Sequence, residues 1–262
     1  GVSDWLGPFD PAATLTCGQC FRWREGEDGS FSGVAFGRTL TVSEESAGQA
    51  AADPLWRSYF DLDLDYGAIR RELSSLSPEL ETAASFAPGI RILRQDPWEA
   101  LCSFILSQNN NIPRIMGIVD RLCENFGEPL PGGGFSFPEP ERLMDLSAED
   151  LAPLRCGFRA RYVLDAARRV GSGELPLDEI AALPLPEARE ALQVIDGVGP
   201  KVAECALLYG MHRLDAFPLD VWMRRAMQTL FPGKSPDFFG PDAGIAQQYV
   251  FHYSRLHPEL FG

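Results

Sequence analysis

With 262 residues, 45% hydrophobic and 23% charged, the chain has the make-up of an ordinary globular protein that buries one large core or two smaller ones. A formal net charge of −14 argues against a generic nucleic-acid binder, whose affinity comes from a broad basic face. No run of about 18 apolar residues occurs, and GVSDWLGPFD at the start lacks the basic and apolar regions of a secretion signal, so a soluble intracellular protein without a membrane partner is expected.

Residues from about 12 to 43 read as an antiparallel meander, because LTCGQCFRWRE and SFSGVAFGRTLTV mix aromatic, β-branched and small residues between glycine turns. After Asp53-Pro54 the pattern turns helical through Leu55, Tyr59, Phe60, Ile69 and Leu73, with a break at Pro88-Gly89. From Asp96 the chain reads as continuously helical: Asp96-Pro97 supplies a cap and a first-turn proline, and Trp98, Leu101, Cys102 and Ile105 share one face. This helix ends in the polar run Ser107 to Asn111. A second helix carries Ile115, Ile118, Val119, Leu122 and Phe126. A loop from Gly127 to Pro140, two short helices over Leu143 to Leu154, a helix over Arg159 to Val170 and a short element before Pro186 follow. Further helices are expected from about Pro218 to Phe231 and from about Pro241 to His257.

Of the six cysteines only Cys17 and Cys20 form a C-x-x-C pair, which supports a zinc site weakly, and no closely spaced C-terminal set offers iron–sulfur ligands. Reduced thiols, several of them in the core, are expected. The segment Arg155 to Arg169 carries five arginines against one acid, Asp165, and predicts a small basic face, with Glu44, Glu45, Asp61, Asp63 and Asp65 on the far side.

The pattern centres on LQVIDGVGPKVAECALLYGMHRLDAFPLD, residues 192 to 220. An apolar helical segment with Ala188, Ala191, Leu192 and Ile195 breaks at Gly197-Val198-Gly199, and another starts at Pro200-Lys201. Both glycines allow positive φ, and the turn points bare amides outward at a helix N-terminus, where a phosphate can dock. Lys201 stands beside that turn and is one of only two lysines among 23 basic residues. An amine can lose its proton and attack carbon, which a guanidinium cannot do. Asp220 follows at the next helix start, as an N-cap or as a carboxylate facing the amine.

The turn Gly197 to Lys201, followed by Pro218-Leu219-Asp220, resembles the helix-hairpin-helix, Gly/Pro-rich loop and aspartate signature of the base-excision DNA glycosylases. Within that superfamily the chain is most similar to 8-oxoguanine DNA glycosylase. CGQCFRWRE, SFILSQNNNIPRI, GFRARYV and AQQYVF resemble further blocks of that family, in its order. The resemblance implies an α+β fold: an N-terminal antiparallel sheet domain, TBP-like with flanking helices, over residues 1–90, and a helical body of two subdomains over 91–262.

It also implies a bifunctional enzyme that flips 8-oxoguanine from opposite cytosine. Lys201 is the implied nucleophile at the sugar C1′, forming a Schiff base from which the strand is cut, and Asp220 stabilises the cationic sugar. The Gly18 carbonyl reads the N7–H of the oxidised base, Phe251 and Cys205 sandwich it, and Gln247 reads its Watson–Crick edge. Asn109 fills the vacated space, Arg114 and Arg159 contact the orphaned cytosine, and Phe158 is an aromatic wedge. The Gly197, Val198 and Gly199 amides hold a phosphate.

One departure stands out. Trp222 occupies the place where the animal and fungal enzymes have a phosphate-binding histidine, which suggests a prokaryotic branch, with the indole N–H as the remaining donor. No cofactor and no catalytic metal is implied; the sequence leaves open a structural alkali-metal ion at the hairpin carbonyls. The expected partner is lesion-bearing double-stranded DNA, bound by a monomer with a modest salt slope. Two other readings stay open: a monofunctional glycosylase for other damaged purines, which has no need of Lys201, and a non-catalytic helix-hairpin-helix binding module, which needs neither Lys201 with Asp220 nor a base pocket.

Overall fold

Helix starts dominate the local chemistry of this chain. Asp10, Asp53, Ser77 and Asp96 each accept a hydrogen bond from an amide in the first turn of a helix that opens on proline. The side chain closes one orphan donor and the proline fixes φ where no N–H is needed. The computed structural model describes residues 5–262; residues 1–4, which open the expected N-terminal domain and the segment searched for a signal, lie outside the described residues.

Helix α1 (Pro11–Thr16) precedes strands β1 (Trp23–Glu25), β2 (Phe31–Ala35) and β3 (Arg38–Val42), which form a three-stranded antiparallel sheet in sequential order. Helices α2 (Ala47–Ala51), α3 (Pro54–Tyr59), α4 (Tyr66–Ser74) and α5 (Pro78–Phe86) follow. The body comprises α6 (Pro97–Leu106), α7 (Ile112–Phe126), α8 (Pro140–Leu143), a 3-10 turn over Glu149–Leu154, α9 (Arg159–Gly171), α10 (Leu177–Ala181), α11 (Leu185–Leu192), α12 (Pro200–Gly210), α13 (Val221–Leu230) and α14 (Ala243–Arg255). The fold is α+β, as expected. No helix of the described residues is long and apolar enough to cross a membrane.

The meander expected from residue 12 is corrected at its start. Asp10-Pro11 is the same cap-and-proline signal that marks Asp96-Pro97, and it makes residues 11–16 helical; Asp10 Oδ1 accepts from Ala13 N at 3.1 Å. All six cysteines are buried and free. Cys17 packs in the larger core and Cys20 in a smaller aromatic one around Trp23, Trp56, Tyr59 and Phe60.

Asp61 is also corrected: it is 2% exposed and belongs to no acidic outer face. Its carboxylate accepts from Tyr66 Oη (2.7 Å), Arg94 Nε (3.0 Å) and His212 Nε2 (2.7 Å). His212 follows α12, so this carboxylate ties the N-terminal region to the end of the helix that carries Lys201 in its first turn. Burial pushes the Asp61 pKa up, but the bonds and charges of His212, Tyr66 and Arg94 outweigh burial and hold it below the usual carboxylate value. The folded state therefore favours the ionised form, a contribution present above the unfolded pKa and lost as pH falls through the lower folded value. Asp61→Asn is expected to cost about 2 kcal/mol at pH 7. In urea unfolding, the gap to wild type should narrow on going from pH 7 to pH 3; a constant gap would count against the ionised carboxylate.

Candidate active site

The hairpin joins α11 to α12. Gly197 has φ +80°, and a Cβ there would stand 2.4 Å from the ring of Tyr162 on α9. Gly199 departs from expectation, because its φ is −100° in the extended N-cap conformation and its missing side chain faces open space. The turn therefore needs a glycine at 197 for conformation and close approach. At 199 a glycine only leaves the amides uncovered.

Lys201 sits in the first turn of α12, with Nζ 5.7 Å from the centre of the Phe104 ring and near the Cys205 thiol one turn on. Burial pushes that thiol up to about 11, although the Lys201 charge opposes the rise, so Cys205 is a neutral thiol. Phe104 of α6 stacks on Tyr209 at 5.3 Å and meets Phe21 edge-on at 5.5 Å, which fixes the apolar surface under the amine.

Asp220 caps α13, accepting from Met223 N at 2.7 Å. The extended segment before it is clamped by two buried side chains. Glu204 Oε1 accepts from Phe217 N at 3.2 Å, and Gln247 Nε2 donates to the Pro218 carbonyl at 3.3 Å. Asp220 thus caps a helix and lines the same cleft as Lys201.

That cleft has a volume of about 300 Å³ and is lined by Gly18, Phe21, Phe104, Lys201, Asp220 and Phe251, with Asn110, His252 and Arg255 among its other residues. Gly18 has φ +93°, and a Cβ there would lie 3.5 Å from Phe251, inside the opening between them. Its turn is held by buried amides. Gln19 donates to the Arg91 carbonyl at 2.8 Å and accepts from Leu93 N at 2.9 Å, while Gln248 donates to the Cys17 carbonyl at 3.0 Å. Cys205 and Gln247 do not line the cleft; they are 3% and 4% exposed, and Gln247 is engaged with Pro218 and Tyr209.

A second groove, of about 590 Å³, opens beside the polar run. Arg114, Arg121, Arg155 and Arg159 line it with no acid; of the basic face expected from Arg155 to Arg169 only Arg155 and Arg159 are here, while Arg169 pairs with Asp165 and Glu174. Arg114 is exposed. Arg159 is partly committed, since its guanidinium donates to the carbonyls of Gln108, Asn109 and Cys156 and so pins the polar turn to α9. Phe158 projects at 54% exposure with Arg159 over its ring at 4.5 Å. Asn109 adopts positive φ on the exposed turn, whereas Asn110 lines both the lysine cleft and the arginine groove.

Trp222 is corrected. Its indole N–H donates to Ser254 Oγ at 2.7 Å and is already engaged. Sequence reasoning missed Glu204, Gln248, Asn110 and Arg255. Glu204 carried a usable signal, a carboxylate in an otherwise apolar helical stretch; the other three depend on which face each residue presents.

A helix-hairpin-helix with a lysine and an aspartate on one cleft, beside an arginine groove, is the architecture of a base-excision DNA glycosylase. Residues 102–237 match the family model described as HhH-GPD superfamily base excision DNA repair protein, and residues 6–101 match that of the 8-oxoguanine DNA glycosylase N-terminal domain. The chain is 39% identical to an N-glycosylase/DNA lyase of Saccharomyces cerevisiae over 56% of its length and 44% of the yeast protein's, so it spans less than half of that relative. It is 29% identical to an N-glycosylase/DNA lyase of Arabidopsis thaliana, over 92% of this chain and 72% of the plant protein. A Clostridium acetobutylicum 8-oxoguanine glycosylase/lyase, solved with double-stranded DNA containing cytosine opposite 8-oxoguanine, is 37% identical, with a TM-score of 0.85 over 95% of this chain and 93% of that one. The chain belongs to the 8-oxoguanine DNA glycosylase family of the HhH-GPD superfamily.

Proposed function

We propose that this protein excises 8-oxoguanine paired with cytosine from double-stranded DNA and then cuts the strand at the same sugar. The observation that carries the reading is the single cleft in which an amine, a carboxylate, an aromatic face and an open glycine turn converge. The flipped base enters between Gly18 and Phe251, where the missing side chain leaves the backbone carbonyl within reach of its N7–H. Cys205 and Gln247 complete the base pocket once their present partners yield. The Lys201 amine forms a bond to C1′ as the N-glycosidic bond breaks, its electron pair leaving with the base, which takes up a proton. Asp220 stabilises the positive charge that develops on the sugar. The nitrogen then gives up a proton and the C1′–O4′ bond opens, O4′ taking up a proton, which leaves an imine that activates the 2′ proton; loss of that proton expels the 3′ phosphate.

On the other strand, Arg114 and Arg159 meet the orphaned cytosine, Phe158 wedges the stack, and Asn109 with Asn110 fills the gap. The amides of Gly197 and Gly199 hold a backbone phosphate; that of Val198, expected to join them, already donates to the Ile195 carbonyl at 3.1 Å, because the turn closes on itself there. Gly197→Ala is expected to destabilise the fold by about 3 kcal/mol, through positive φ and the Tyr162 clash. Gly199→Ala should leave stability within about 0.5 kcal/mol yet weaken duplex binding, because its Cβ covers the exposed amides. Urea unfolding and band-shift titration of the pair check this; equal unfolding losses would contradict it. The protein works as a monomer wherever the DNA lies, the nucleoid in a prokaryote.

The functional reading is tested on a panel of duplexes. Base release and strand cutting are expected at 8-oxoguanine opposite cytosine, with much less opposite adenine and none at undamaged guanine. Release of alkylated purines instead would favour a monofunctional enzyme, and equal binding to all duplexes without release would favour a non-catalytic module.

A further inference from the structure

The cleft holds a cation with no assigned task. Arg255, the last residue of α14, lines it together with Lys201 and Asp220 and supplies its one guanidinium. Its Cζ lies 5.6 Å from the centre of the Trp222 ring and 5.6 Å from that of Phe251. Among the described residues no hydrogen bond or ion pair engages it. Several guanidiniums elsewhere are committed, Arg22 to Glu99, Arg91 to a ring of carbonyls, Arg159 to the polar turn and Arg213 to Asp215, and none of these lines the cleft. Arg255 is thus oriented by two aromatic rings while all of its N–H donors stay available.

The platform beneath it is rigid. Trp222 is locked by its bond to Ser254 and by edge contact with Phe261 at 5.0 Å. Arg255 and its neighbour Leu256 are exposed, so the guanidinium stands at the mouth of the cleft and not at its floor. A nucleotide drawn into this cleft brings its two flanking phosphates to the mouth. A planar fork of donors matches a phosphate, and ring stacking pre-organises that fork without consuming its N–H groups. The amine of Lys201 is reserved for the sugar carbon.

We infer that Arg255 is a phosphate clamp of the damaged strand, its guanidinium binding one of the two phosphates that flank the flipped nucleotide. The inference rests on the glycosylase reading, and the test separates the two. Equilibrium binding is measured with 8-oxoguanine:cytosine duplexes carrying one neutral methylphosphonate at either flanking position. The protein carries Lys201→Gln to stop turnover, with and without Arg255→Ala. With Arg255 present, one of the two methylphosphonates should weaken binding about tenfold; with Arg255→Ala the same duplex should lose less than about twofold. On the unmodified duplex Arg255→Ala should cost about tenfold and lower the salt slope by about one ion, and Arg255→Lys should restore only part, since an ammonium keeps the charge and loses the fork.

Equal losses from methylphosphonate with and without Arg255 would overturn the clamp. Loss of lesion preference over guanine, in place of phosphate coupling, would also overturn it and make Arg255 a base reader. If the Arg255-containing protein did not prefer the lesion duplex at all, the glycosylase reading would fail, and the clamp with it.

Discussion

Lys201→Gln is expected to lower base release from an 8-oxoguanine:cytosine duplex by about four orders of magnitude or more, with duplex affinity kept within about threefold. The amine lies 5.7 Å from the centre of the Phe104 ring beside the neutral Cys205 thiol, and a glutamine, one bond shorter, keeps a polar end there without a nucleophilic nitrogen. Lys201 is partly exposed, so the stability cost should stay below about 1 kcal/mol. Single-turnover release with enzyme in excess, paired with band-shift titration, separates chemistry from binding. Activity within tenfold of wild type would mean that water is the nucleophile.

Asp220→Asn should lower the single-turnover rate by about two to three orders of magnitude, because a charge placed for the cationic sugar is replaced by a neutral amide. Stability should change by less than about 0.5 kcal/mol. Asparagine caps a helix as well as aspartate does, and its side-chain oxygen can still accept from Met223 N. Asp220→Ala should lose the rate and about 1 kcal/mol of stability together. The two substitutions therefore separate the capping role from the electrostatic one. A rate within about threefold of wild type in Asp220→Asn would assign Asp220 to the cap alone.

Local signals made much of this molecule legible. Asp96-Pro97 marked a helix start because the capping chemistry is contained in two adjacent residues, and the hairpin was visible as a glycine turn between two apolar helical segments. Lys201 stood out because the chain otherwise draws almost all of its positive charge from arginine. The same logic failed at Asp10-Pro11, where aromatic and β-branched residues downstream suggested a strand reaching back over a helix that its own cap had specified.

What stayed hidden depends on tertiary placement. Asp61 reads as one acid in an acidic stretch, yet its partner His212 lies 151 residues away and takes it into the interior. Gly197 and Gly199 look alike in sequence, but only the first meets the Tyr162 ring. The indole of Trp222 reads as a free donor in sequence, but Ser254, 32 residues further along, accepts from it. Arg255 has no local mark at all; two rings from different segments give it an orientation.

The central claim is that Lys201 forms a covalent bond to the sugar of the damaged nucleotide. Borohydride reduction during reaction with an end-labelled 8-oxoguanine:cytosine duplex tests it most directly, because it converts the imine into a stable protein–DNA adduct. The account predicts an adduct with the wild-type chain, mapped to Lys201 by peptide mass, and none with Lys201→Gln. Base release by wild type with no trapped adduct, or an adduct that persists in Lys201→Gln, would contradict it.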